Sequence, residues 1–101
     1  MKSLGVLLTV AIAAPILASG AYAYTGEKLA GAAKISLEQA TEIALKARQG
    51  KITDKELERE NGGTGLRYSF DIRSKGITYE VGIDAQTGAV LENAREGAHP
   101  D

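Results

Sequence analysis

The stretch "YEVGIDAQTGAVLEN", residues 79–93, decides the fold. Tyr79, Val81 and Ile83 alternate with polar or small residues, which is the period of a strand with one buried face. "DAQTG" then breaks the alternation with turn-forming residues, and Val90 resumes it. Residues opposed across a hairpin point to the same face. Pairing Ile83 with Val90 therefore sets Asp84 against Ala89 and leaves Ala85-Gln86-Thr87-Gly88 as the loop. Asp84 is placed to accept backbone N–H groups of that turn, Thr87 lies within it, and Gly88 supplies positive φ. A short final strand over residues 89–93 follows.

The same pattern extends upstream. Residues 66–73, "LRYSFDIR", put Leu66, Tyr68, Phe70 and Ile72 on one face and Arg67, Ser69, Asp71 and Arg73 on the other. Residues 77–83 do likewise with Ile77, Tyr79, Val81 and Ile83. Setting Ile72 against Ile77 and Phe70 against Tyr79 gives a four-residue loop, 73–76, with Gly76 at positive φ. The preceding "NGGTG", residues 61–65, is a loop. Residues 51–60, "KITDKELERE", admit two readings. Thr53 and Glu56 have the spacing of a helix cap, whereas a strand over 52–60 needs a bulge to bring Ile52 and Leu57 to one face. The strand is the expected form.

Residues 36–50, "SLEQATEIALKARQG", predict a helix. Ser36 and Gln39 have the spacing of a capping box. Leu37, Ala40, Ile43, Ala44 and Ala47 form an apolar stripe, and its alanines permit a close approach to a sheet. Gly50 is the expected left-handed residue that ends it. The fold class is therefore α+β: one helix on an antiparallel meander of three to four strands. Residues 24–35 form a lead-in, either a brief helical turn or a linker. Residues 36–93 form the domain, and 94–101 a flexible tail.

Residues 1–23 differ from all of this. Lys2 precedes an apolar run that is too short and too interrupted, at Pro15, for a membrane span, and Ala21-Tyr22-Ala23 closes it. This is the layout of a secretory signal cleaved after Ala23, which predicts a secreted or periplasmic product with no membrane anchor. Losing Lys2 from the 12 basic residues leaves 11 against 13 acidic, a net charge of −2. Such a balance argues against nucleic acid as a partner. The oligomeric state has no signature.

Catalytic chemistry is hard to assemble from these residues. The chain has no cysteine, and its single histidine, His99, lies in the polar tail beside Pro100. A general base must be held beside its substrate, so an enzyme is not expected, nor is a cofactor. Glu56, Glu58 and Glu60 share a strand face and have the oxygen ligands of a hard cation. A solvated face is the simpler reading, so no metal is expected. Tyr68 and Tyr79 are better explained by core packing than as a ligand platform. Asp71 and Glu80 carry no motif.

Together, residues 35–92 resemble the PepSY domain family. The resemblance is carried by "ISLEQATEIALKA", "ELERE", "YSFDI" and above all "YEVGIDAQTGAVL", with Tyr79, Val81, Ile83, Asp84, Ala85, Thr87, Gly88 and Val90 at motif positions. Members occur in propeptides of secreted thermolysin-like metallopeptidases, in membrane proteins and as small exported proteins. The resemblance implies a non-enzymatic binding module that modulates or inhibits a peptidase, with a metallopeptidase as its implied partner in trans. The alternative is a sensor or accessory module for a small ligand or a receptor ectodomain, and a third reading is an envelope stress protein without a discrete target. Partner binding is expected at the edge strand that carries Glu56, Glu58 and Glu60.

Overall fold

The computed structural model describes residues 24–97. The expected signal segment, its cleavage site at Ala23, and His99 lie outside the described residues. Helix α1 spans Leu37–Ala47, and four strands follow: β1 Lys51–Arg59, β2 Leu66–Ser74, β3 Ile77–Asp84 and β4 Val90–Arg95. They form one antiparallel sheet in the order β1-β2-β3-β4. The fold is thus α+β, with one helix on a four-stranded meander.

The helix begins as its sequence dictates. Ser36 Oγ accepts from Gln39 N at 3.0 Å, and Gln39 Oε1 accepts from Ser36 N at 2.8 Å. Ala40 and Ala44 are fully buried, so the helix axis lies close over the sheet. They join Leu57, Leu66, Tyr68, Phe70, Ile72, Val81 and Ile83 in one core. Fully burying a side chain such as Phe70 or Ile72 contributes roughly 1.5–3 kcal/mol. The helix stops at Ala47, because Arg48 is already extended at φ −149°. Gly50 is therefore not the left-handed terminator. Its φ is 156°, and it is needed for space: a Cβ there would press on the Arg73 carbonyl at 2.5 Å and the Ile72 methyl at 2.8 Å.

β1 is a strand, and it contains the bulge that Ile52 and Leu57 require. Ile52 opposes Ile72, but Asp54 opposes Asp71, so Thr53 is the extra residue. Beyond the bulge, Leu57 opposes Tyr68 on the core face.

The β2–β3 register differs from the expectation by two residues. Ile72 opposes Tyr79 and Phe70 opposes Val81, while Ser74 opposes Ile77. The loop is only Lys75-Gly76, with φ 54° and 80°. A slip of two preserves every side chain's face, so the apolar pattern alone cannot detect it. The tight turn prevails because two consecutive positive φ values match the twist of a hairpin. Here a lysine takes one of them.

The β3–β4 hairpin follows the expected register. Ile83 opposes Val90, Asp84 N donates to Ala89 O at 2.8 Å, and Gly88 N donates to Asp84 O at 2.8 Å, with Gly88 at φ 82°. β4 then bulges at Leu91 and runs past the expected limit at Asn93. Ala94 opposes Glu80, Arg95 opposes Tyr79, and Glu96 N donates to Thr78 O at 2.9 Å. The expected flexible tail therefore begins too early at residue 94, because backbone pairing to β3 continues.

The lead-in is folded as well. Glu27–Ala32 form a 3-10 helix. Lys34 N and Ile35 N both donate to Ala85 O, and Gln86 Nε2 donates to Ala32 O at 2.6 Å. Thr25 bridges to Glu56 in parallel, with Leu57 N donating to Thr25 O at 2.8 Å.

Candidate functional site

The helix and lead-in cover one face of the sheet, and its other face is open among the described residues. Strand alternation brings Glu56 and Glu58 to the open face, with Glu60 just beyond the strand end. Glu56 opposes Ser69 and Glu58 opposes Arg67. The three glutamates thus do share one face, as their spacing predicts. They line a shallow depression of about 300 Å³ together with Ser69, Asp71, Glu80 and Glu92.

Reading across the strands shows how the acids are grouped. Asp54 opposes Asp71, Asp71 opposes Glu80, and Glu80 opposes Ala94. Three carboxylates therefore lie side by side on neighbouring strands, an arrangement that costs stability. Carboxylate oxygens of Asp71, Glu80 and Glu96 lie within 4.8 Å of one another. Burial raises the Asp71 carboxyl above its ordinary value, and the neighbouring Glu96 and Asp54 push it further. Burial likewise raises Glu80, reinforced by Glu92, Asp71, Glu96 and Glu60. Glu60 is raised mainly by a shared hydrogen bond with Glu58 and by burial, against the pull of Arg67.

Arg67 is the buried cation of this face. Its guanidinium lies 3.3 Å from Glu92 and 3.8 Å from Glu60, and Nη2 donates to Asn61 O at 3.3 Å. Its stem crosses Gly82, where a Cβ would meet Cδ at 3.1 Å. Glu58 accepts from Ser69 Oγ at 2.8 Å.

Asp84 stands apart from these acids. Its carboxylate is buried and accepts from Thr64 N at 2.6 Å, Thr64 Oγ1 at 2.9 Å, Gln86 N at 2.8 Å and Thr87 N at 3.0 Å. Burial alone would raise this carboxyl, but the bonds from Thr64, Gln86 and Thr87 outweigh it and hold the group well below the carboxylate range. The expected bonds within the turn are present. The bonds from Thr64 were not foreseen, although Thr64 carries the only hydroxyl donor in "NGGTG".

Of the tyrosines, Tyr68 is buried and donates to Ile35 O at 2.9 Å, so it serves the core. Tyr79 is half-buried beneath Arg48, whose guanidinium carbon is 3.8 Å from the ring centre. Arg48 Nε also donates to Asn93 Oδ1 at 3.1 Å, and Asn93 Nδ2 donates to Ala47 O at 3.1 Å.

The edge of β1 is not free along its length. Thr25 occupies the outward N–H of Leu57, and Gly26 backs directly onto the Leu57 carbonyl. A partner strand centred there would have to displace the chain's own lead-in. The glutamates remain accessible from the open face.

Fold and site together define a small α+β domain that leaves one acidic sheet face uncovered. The family model described as peptidase propeptide and YPEB domain, PepSY, matches residues 34–93, and the chain belongs to this family. No curated protein and no solved structure matches the chain. Among the described residues no helix is long and apolar enough to cross a membrane.

Proposed function

We propose that this chain is an exported, non-enzymatic PepSY module that binds a peptidase and modulates it in trans, with the open acidic face as its docking surface. The observation that carries the reading is the row Asp54, Asp71 and Glu80, three like charges in direct cross-strand register. A fold gains nothing from such a row, and local rules are broken most often where function requires it. Glu56, Glu58 and Glu60 extend the same negative surface. The partner is accordingly a protein with a basic surface, and the family's link to peptidase propeptides supports a metallopeptidase of the thermolysin type.

The test mixes the purified exported chain with a secreted thermolysin-like metallopeptidase. A stoichiometric complex with altered peptide hydrolysis is expected. Glu56→Lys with Glu80→Lys should weaken that complex at least about tenfold, since charge pairs across interfaces are strong. The same variant should keep its thermal stability, because Glu80→Lys relieves the repulsion from Asp71. Unchanged hydrolysis and no complex, across such peptidases, would remove the peptidase reading. The intact mass of the exported chain should correspond to a start at Tyr24.

The sensor reading keeps one supporting observation. A groove of about 750 Å³ runs between the lead-in and the start of α1, lined by Tyr24, Lys34, Ile35, Leu37, Gln39 and Tyr68. A small ligand held there would raise the melting temperature, by an amount that keeps growing with the logarithm of its concentration above the dissociation constant.

A further inference from the structure

We infer that the docking partner joins the sheet as a fifth strand beside β4 and presents basic side chains at alternate positions. The inference rests on the reading of the acidic face as a binding surface and specifies how that surface is used. Of the two sheet edges, β1 is covered at Leu57 by Thr25 and Gly26, whereas among the described residues β4 pairs with β3 alone. Glu96 N points at Thr78 O. Alternation then turns Glu92 and Ala94 towards β3 as well, and aims the backbone N–H and C=O groups of Asn93 and Arg95 outward. An edge of this kind is a template for another strand.

The side chains specify that strand. Glu92 and Ala94 of β4, with Glu96 just beyond its end, belong to the open face. An antiparallel newcomer would hydrogen-bond to Asn93 and Arg95. Its residues opposite Glu92, Ala94 and Glu96 would fall in the intervening pairs, where side chains approach most closely. Lysine or arginine fits each of these positions. Two meet a glutamate directly. The third meets Ala94, whose small side chain lets a long basic residue reach Glu80 and the end of the Asp54–Asp71–Glu80 row. A second copy of this chain fits poorly, because β4 against β4 would bring both sets of Glu92 and Glu96 onto one face. The edge also carries Val90, the one exposed large hydrophobic among the described residues at 47 % exposure, beside the helix-side positions of the added strand.

The experiment uses the protein purified after expression of its full sequence, with two capped peptides of identical composition. In one, lysine alternates with valine; in the other, the lysines form a block. The alternating peptide should bind and slow hydrogen exchange at the Asn93 and Arg95 amides by about tenfold or more. Arg95→Pro should abolish binding, since an outward N–H can be lost without breaking the β3 ladder. Glu92→Gln with Glu96→Gln should weaken binding about tenfold while leaving the backbone intact, which keeps the test decisive if the proline variant misfolds. Equal binding of both peptides without amide protection would overturn strand addition yet sustain the acidic docking face. Binding of neither would overturn both. Protection of Asn93 and Arg95 without peptide, growing with protein concentration, would assign the edge to self-association and overturn the basic partner.

Discussion

Asp84 and the acids of the open face are the same chemistry in opposite circumstances. Asp84 is buried, yet four hydrogen bonds from Thr64, Gln86 and Thr87 hold it ionised. Asp71 and Glu80 are less buried, yet even their partial burial, reinforced by the carboxylates they face, pushes both towards the protonated form, because no comparable set of donors opposes it. Donors decide the difference, and burial does not. Asp84 ties the "NGGTG" loop to the β3–β4 turn and belongs to the architecture. The open-face acids repel one another, which is the reason for proposing that they meet a partner.

The comparison can be broken most forcefully at Asp84. Asp84→Ala leaves its donors unpartnered and removes a hub between two loops. Bonds to a charged group contribute about 1.5–3 kcal/mol each, though not additively, so a loss of about 3 kcal/mol or more is expected. A domain of this size has little more than that in total. Urea denaturation should find the variant largely unfolded, and Asp84→Asn, which keeps one acceptor oxygen, should fall between. A stable Asp84→Ala would show that the knot is incidental.

Gly88→Val attacks the same knot from the backbone. Gly88 has φ 82°, and a Cβ there would lie 3.3 Å from Ile43 Cδ1. A β-branched residue resists that φ, so a loss of roughly 1 kcal/mol or more is expected, read as a lower denaturation midpoint at unchanged slope. An unchanged midpoint would mean that the turn around Asp84 tolerates a different backbone.

These two regions were not equally legible in the sequence. The turn at Asp84 could be read from "DAQTG" because its bonds to Gln86 and Thr87 are local. The acidic row could not. With Ile72 set against Ile77, Asp71 would face Thr78, and nothing would look unusual. The true register, two residues away, sets Asp71 against Glu80. Face assignment survives such a slip, but cross-strand partners do not, and the site consists of cross-strand partners. The loop length that fixed the register depended on Lys75 accepting φ 54°, which composition does not announce. The fold class and strand faces were therefore readable. The bulge at Leu91, the extension of β4 to Arg95 and the cover on β1 depend on long-range pairing.

The smallest expected effect sharpens the comparison most, because its sign is opposite. Asp71 and Glu80 titrate above their ordinary values in the folded chain, so the folded state takes up protons first as pH falls from neutrality. Their contribution makes the domain more stable on mild acidification. Asp84 titrates below its ordinary value, so its contribution persists until the unfolded chain begins to protonate near the ordinary aspartate value of 3.8, and is lost below that. Stability should thus pass through a maximum at mildly acidic pH. Glu80→Gln removes the like charge between Asp71 and Glu92, and should stabilise the folded chain at neutral pH by a few tenths of a kcal/mol. It should also flatten the rise between neutrality and the maximum, while leaving the acid limb set by Asp84 in place. If Glu80→Gln instead destabilised the domain at neutral pH, the row would be a structural asset, and repulsion could no longer be the reason to assign that face to a partner.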